Sequence, residues 1–329
     1  MAFGRATAVR AAAFAGAASW LGISEPARPV LVMPVFRRQI HIDETLLNTG
    51  ASIPRLGFGT YLANGDELLN ALLVAIKIGY RHIDTAAGYV NEGVVSIALA
   101  TSGVPREQFF LTSKLWCSDH GSQRTQKAIA KSLRRLRTNY LDLFLIHAPD
   151  NQGETSDEIR RLRLESWLTM EEAHRAGKLR AIGVSNFEPR HIEALIRNED
   201  GSAREGAIVP AVNQLEVHPH FDQQTTREYC AQRGIAVEAY GSLGADGVLD
   251  DPLIKRLARE YRRTPAQIAL RHTLQRGTVV LAKSLSSRRI EENARIFEFA
   301  LSDADCAALD ALGSGARAER SYWDNSDVP

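Results

Sequence analysis

Eight times between about residues 39 and 311, a short apolar run gives way to a longer stretch of helical period. That alternation constrains the fold more than any other feature. Parallel strands cannot be joined by tight turns; each needs a crossover, usually a helix. The apolar runs lie at 56–59, 82–84, 110–114, 141–147, 182–185, 211–216, 236–240 and 279–282. Helical patterns occupy 67–78, 92–101, 124–136, 160–176, 189–196, 223–233, 265–275 and 288–296, with an extra one at 253–261. Eight such units over about 270 residues predict an α/β fold of the (β/α)8 TIM-barrel type. Upstream, Ile40, Ile42 and Leu46 precede Asn48-Thr49-Gly50, and Ile53 follows, which predicts an N-terminal β-hairpin. The rival, a doubly wound dinucleotide-binding sheet, needs GxGxxG after the first strand; Gly57-Phe58-Gly59-Thr60-Tyr61-Leu62 lacks the third glycine.

Bulk properties mainly exclude. A formal net charge of +1 on 329 residues makes no electrostatic case for nucleic acid or for a membrane surface. No apolar run approaches the roughly 18 residues of a membrane span. Three cysteines, Cys117, Cys230 and Cys306, without CxxC spacing, fit a reducing compartment. Residues 1–38 differ from the rest: there is no acid before Glu25, and Arg5, Arg10, Arg28, Arg37 and Arg38 sit among Ala, Ser and Gly. A mitochondrial or plastid transit peptide and a plain disordered extension both fit this composition, so a cytoplasmic location and an organellar one stay open. The expected organisation is that extension, then one barrel over 39–329 with a tail from about residue 313. The expected association state is a monomer or weak dimer.

Reading the C-terminal end of each strand gives Thr60, Asp84, Lys114, His147, Asn186, Gln214, Tyr240 and Lys283. All are polar or can hydrogen-bond, and in a barrel these ends converge on one face, where barrel enzymes place their sites. Asp84 is the one carboxylate among them, and Tyr89 follows five residues later. A phenol with a free pKa of about 10 is a poor acid at neutral pH. A nearby ammonium lowers that value, so Lys114, held charged by Asp84, would activate Tyr89. His147 can bond a bound oxygen and share in proton delivery. Such an assembly suits protonation of the alkoxide that forms when hydride adds to a carbonyl. Each residue alone has a duller reading as a cap, a packing ring, a core histidine or a surface lysine. Their joint placement at strand ends favours chemistry. Hydride transfer needs a carrier. Asn186 and Gln214 can bind a carboxamide, Tyr240 can stack on a flat ring, and Lys283, Ser284 and Arg289 at the start of the last helix form a phosphate site. Two cations there favour the extra phosphate of NADP. His218-Pro219-His220 invites a metal reading, rejected because no third ligand is placed beside it.

Seven segments in order resemble the aldo-keto reductases: LGFGTY (56–61), GYRHIDTAAGYVNE (79–92), LTSKLW (111–116), YLDLFLIH (140–147), GKLRAIGVSNF (177–187), NQLEVHP (213–219) and AKSLSSRRIEEN (282–293). The resemblance implies NADPH-dependent reduction of small carbonyl substrates, aldehydes and ketones, with Asp84, Tyr89, Lys114 and His147 as catalytic tetrad and Tyr89 as proton donor. It implies cofactor contacts from Thr60, Ser185, Asn186, Gln214, Tyr240, Leu243, Lys283, Ser284, Arg289, Glu292 and Asn293. Tyr61, Trp116 and His147 would line the substrate pocket. A catalytically silent relative, an NADPH-binding regulatory or structural barrel, is the alternative. Three departures stand out. Ala148 replaces the aromatic residue common after the histidine. The usual AYSPLG reads AYGSLG (239–244). The stretch 245–251 is shorter than the cofactor-clamping loop of some relatives, which implies faster cofactor release.

Overall fold

The computed structural model describes residues 40–244, 247–313 and 320–329; the extension at 1–38, Ala245 and Asp246, and residues 314–319 of the tail lie outside the described residues. The hairpin forms from β1 (Glu44–Leu46) and β2 (Ser52–Pro54), antiparallel, with Gly50 at φ 83° in the turn. Eight strands follow: β3 (Leu56–Gly59), β4 (His82–Asp84), β5 (Phe110–Leu115), β6 (Leu143–Ile146), β7 (Ile182–Ser185), β8 (Val212–Glu216), β9 (Ala236–Tyr240) and β10 (Val279–Ala282). All neighbours pair in parallel, and β10 pairs with β3, which closes the barrel.

The helices around it are α1 (Gly65–Ile78), α2 (Glu92–Ser102), α3 (Ser122–Arg135), α4 (Ser156–Arg175), α5 (Pro189–Ile196), α6 (Gln224–Gln232), α7 (Pro252–Glu260), α8 (Pro265–Gln275), α9 (Ser287–Ala294) and α10 (Asp303–Asp310). Local chemistry sets their ends. In α1 the Asn64 side chain accepts from Gly65 N, Asp66 and Glu67 face the positive end of the helix dipole, and Gly79 at φ 132° closes it. In α8 Thr264 and Gln267 form a reciprocal capping box with Pro265 at the first position. The sequence reading has no helix at 303–310. That segment is short and rich in Ala and Asp, yet Ser302 caps it and Cys306 and Leu309 bury against α7 and α8. Tertiary burial, not periodicity, makes it helical.

Leu47 and Ile53 of the hairpin pack against Phe110, Leu143, Ala181, Ala211 and Val279, at or just before the starts of five barrel strands. The hairpin therefore stops the barrel's N-terminal mouth with apolar side chains. Burying Ile53 fully is worth about 2 kcal/mol. With that mouth closed, the opposite face is the open one.

Candidate active site

The C-terminal strand ends surround a cavity of about 340 Å³. At its floor the parallel register sets Asp84 beside Thr112, and Lys114, two residues on, points to the same side of β5. The Lys114 ammonium donates to both Asp84 carboxylate oxygens, at 2.6 and 2.7 Å, to Thr85 O at 3.1 Å and to Tyr89 Oη at 3.3 Å. Lys114 is fully buried and Asp84 nearly so.

Tyr89 ends a single 3-10 turn, Ala87–Tyr89, and Val90 behind it is left-handed at φ 56°. A buried amide that the sequence reading passed over holds this turn. Asn91 donates to Thr60 O and Ala63 O, each at 2.9 Å, and accepts from Thr85 Oγ1 at 2.6 Å. The loops after β3 and β4 are thus tied together, and the Tyr61 and Tyr89 rings meet at 5.1 Å. Thr60 itself is buried. Its hydroxyl donates to Asp84 O at 2.9 Å and it does not line the cavity.

His147 follows β6, edge-on to Tyr89 at 5.5 Å and to Trp116 at 5.0 Å. Trp116 keeps its place because Gly88 has no side chain: a Cβ there would lie 2.4 Å from the indole. Asn186, next after β7, is left-handed at φ 63°, and its amide is engaged on both sides. Nδ2 donates to His147 O at 2.9 Å and Ser185 Oγ at 3.1 Å, while Oδ1 accepts from Tyr240 Oη at 2.7 Å. Gln214 donates from one nitrogen to Asp84 Oδ2 at 2.9 Å and to Glu238 Oε2 at 2.5 Å.

Ser185, Asn186, Gln214, Tyr240, Leu243 and Lys283 all line the cavity, as do Tyr61 and Trp116. The remaining expected cofactor residues lie beyond it. Ser284 Oγ caps the turn into α9 by accepting from Ser286 N at 3.1 Å, and Arg289 is exposed. Glu292 pairs with Arg288 at 3.6 Å in a separate groove, and Asn293 is buried.

Of the tail, residues 320–329 are described, and they lie over the cavity. Glu216, the last residue of β8, accepts from Ser321 N at 2.7 Å and Tyr322 N at 3.1 Å. Trp323 stacks on His147, the rings 5.7 Å apart at 20°, and Tyr322 meets Tyr240 edge-on at 5.6 Å. Further along, Asn325 donates to Asn186 O, His191 Nε2 contacts Val328 O and Arg163 donates to Pro329 O. The AYGSLG departure has a steric reason. Gly241 is left-handed at φ 65°, and a Cβ on it would lie 2.9 Å from the Tyr322 ring. Asp84 is also not the sole carboxylate at this end: Glu216 ends β8, and Glu238 points into the barrel from β9. Taking Gln214 and Tyr240 as the site-facing residues of these two strands leaves both carboxylates out. His218 and His220 turn to different carboxylates, Glu216 at 3.0 Å and Asp251 at 3.2 Å.

The electrostatics differ from the expectation at Tyr89 and at His147. Burial pushes Tyr89 up, Lys114 pulls it back, and the balance is about 12, above the free phenol. Burial opposes the Lys114 charge, but Asp84 and then Tyr89 more than offset it, so the ammonium's pKa is raised. Burial, then Lys114, push His147 well below its usual value, so its ring is neutral. Its Nδ1 is buried without a hydrogen-bond partner among the described residues.

A closed parallel barrel whose open face holds a buried ammonium–carboxylate pair hydrogen-bonded to a phenol has the architecture of a barrel enzyme. Known proteins supply the family. The aldo/keto reductase family model matches residues 55–314, and the chain belongs to that family; it is an oxidoreductase acting on carbonyl groups. It is 41% identical to an aldo-keto reductase of Mycolicibacterium smegmatis over 271 residues, 82% of this chain and 94% of that one. It is also 41% identical to a glyoxal reductase of Bacillus subtilis over 276 residues, 84% and 94% of the two chains. Among solved structures, an aldo/keto reductase from Brucella melitensis superposes with a TM-score of 0.75 at 39% identity, covering 83% of this chain and all of that one.

Proposed function

We propose that this protein reduces aldehydes and ketones to alcohols with NADPH, and that Tyr89 is the general acid. The observation that carries the reading is the Asp84–Lys114–Tyr89 chain at the floor of an aromatic cavity. A reduced nicotinamide, when bound, supplies the hydride.

The protein's part is to bind, orient and protonate. Tyr89 is loaded with its proton at neutral pH, since its pKa stands at about 12. An alkoxide is roughly as basic as hydroxide, whose conjugate acid has a pKa of about 15.7 in bulk water. The phenol therefore gives up its proton downhill once negative charge develops on the substrate oxygen. Lys114 stabilises the phenolate left behind, and Asp84 keeps Lys114 charged. Neutral His147 positions the carbonyl oxygen by hydrogen bonding rather than as an acid.

The residues present fit the cofactor. Ser185, Asn186 and Gln214 have their donors committed and offer oxygen acceptors to the NH2 of a carboxamide, and Tyr240 and Leu243 offer flat and apolar surface. Lys283 and Arg289 are exposed cations near the N-terminus of α9, and among the described residues neither pairs with a carboxylate. Together with Ser284 they suit a 2′-phosphate, which argues for NADPH over NADH. Glu292 and Asn293 would lie toward the adenine.

The test is turnover of NADPH with a nitrobenzaldehyde and a panel of ketoacids, diketones and quinones. Tight NADPH binding with no turnover on any of them would refute the reading as an enzyme.

A further inference from the structure

Behind the catalytic lysine the barrel interior holds a second polar cluster that proton delivery does not use. Glu238 on β9 is completely buried. Its Oε2 accepts from Gln214 Nε2 at 2.5 Å. Its Oε1 satisfies no hydrogen bond as an acceptor, yet it lies 3.2 Å from His82 Nε2. The tautomer of His82 follows from its other contact. Nδ1 is 3.3 Å from Pro54 O, a carbonyl that can only accept, so Nδ1 carries the hydrogen. Burial keeps the ring neutral, with a pKa lowered to about 4, and that leaves Nε2 with a lone pair. The lone pair faces Thr112 Oγ1 at 3.2 Å and Glu238 Oε1. Room for the ring comes from Gly57, where a Cβ would stand 2.7 Å from His82 Nδ1.

Two carboxylates, Asp84 and Glu238, therefore bond the same Gln214 nitrogen, and the one buried ammonium beside them, Lys114, is taken by Asp84. The groups facing Glu238 are His82 and Asp84 from β4, Thr112 and Lys114 from β5 and Gln214 from β8; β3 and β10 present only apolar residues and glycine. Nothing in that set compensates a second anion. A proton on Oε1 removes the charge and supplies the missing hydrogen bond, O–H to His82 Nε2.

We infer that Glu238 is a positioning residue of the cofactor cradle: a protonated carboxyl that donates to His82 and accepts from Gln214, and so presents the Gln214 amide oxygen to the nicotinamide. With both hydrogens of its nitrogen committed to Asp84 and Glu238, Gln214 has only its oxygen left to offer, the right partner for the NH2 of a carboxamide. The inference rests on the cofactor reading above. Burial, followed by the Asp84 charge, pushes Glu238 up to about 8, so the cradle is intact at neutral pH and gains a second anion above that.

The test compares Glu238→Gln, which reproduces the acceptor and donor of the protonated acid, with Glu238→Met, which has neither. Infrared spectroscopy of the ligand-free protein at pH 7 reads the proton: the C=O band of a buried protonated carboxyl is expected in wild type and absent in Glu238→Gln. Quenching of tryptophan fluorescence by NADPH reads the cradle. Glu238→Gln is expected to bind within about twofold of wild type and to lose wild type's weakening above pH 8. Glu238→Met is expected to bind about tenfold more weakly, the value of one oriented buried hydrogen bond. A merely structural role would lower the melting temperature of both variants and leave the pH profile of binding alone. Absence of the wild-type carboxyl band, or Glu238→Gln binding as weakly as Glu238→Met, overturns the inference while NADPH binding by wild type upholds the cofactor reading. Wild type that fails to bind NADPH overturns both.

Discussion

Removing the charge on Lys114 without leaving its partner stranded isolates the electrostatic part of proton delivery. Lys114→Met alone would bury an unpaired Asp84, at a cost of about 3–5 kcal/mol in stability. The double variant Asp84→Asn/Lys114→Met avoids this. It is close to the original in volume, carries no net charge change, and keeps an acceptor for Gln214. Its effect on chemistry is bounded by one distance, because the variant also removes the Asp84 charge that opposes the phenolate. With the ammonium 3.3 Å from the phenol oxygen and an effective dielectric of about 20, a full phenolate is favoured by about 5 kcal/mol. If the proton is about half transferred in the transition state, at most about 2.5 kcal/mol of that reaches the barrier, or up to roughly 10²-fold in rate. Steady-state kinetics with saturating NADPH should show kcat down by up to that factor, with the melting temperature within a few degrees of wild type. The double variant turning over as fast as wild type, while folded, would refute the reasoning that Lys114 acts through its charge on Tyr89.

Three further outcomes are expected. Gly241→Ser restores the serine usual at this position in relatives, but its Cβ meets Tyr322 and its φ is left-handed, so the tail should shift; we expect a loss of about 1 kcal/mol in stability and a higher KM for aldehydes, read by thermal melts and kinetics. From Gly247 the chain enters a 3-10 turn, Val248–Asp250, and passes directly into the cap of α7 at Asp251. Stopped-flow NADP+ release should therefore be fast, and release as slow as in relatives with a long clamping loop would contradict this. His120 is buried and its pKa is lowered to about 3, chiefly by burial and then by Arg163 and Arg124. The native state thus binds fewer protons than the unfolded one, and the stability this confers, present above pH 6.5, drains as the pH falls toward 3; between pH 6.5 and 5 the loss is roughly 2 kcal/mol. His120→Gln should flatten that part of a denaturant-measured stability–pH curve.

Much of the barrel was legible because each of its parts obeys a local rule. Parallel strands buried on both faces read as unbroken apolar runs, so five of the eight barrel strands begin and end where their sequence patterns do. Strand ends are legible as well, since a polar residue closing an apolar run has few other reasons to be there. What stayed hidden depends on contacts across the fold. Glu238 sits inside its strand rather than at its end, and only closure of the barrel brings it to His82 and Gln214. Asn91 looks like any helix cap until the loop after β3 comes to meet it. The tail carries no periodicity, so its place over His147 emerges only from docking onto Glu216, Asn186 and His191. The net rise of the Tyr89 pKa was likewise out of reach, because the sequence shows the ammonium but not the depth of burial that outweighs it.

The central claim, that Tyr89 protonates the substrate oxygen, is tested most directly by single-turnover kinetics of Tyr89→Phe. Wild type and variant are premixed with NADPH, and a nitrobenzaldehyde is added in a stopped-flow instrument. The account predicts that the variant binds NADPH as wild type does and that its chemical step is slower by about 10²–10⁴, the usual contribution of a positioned general acid. A Tyr89→Phe protein that consumes NADPH at the wild-type rate would contradict it.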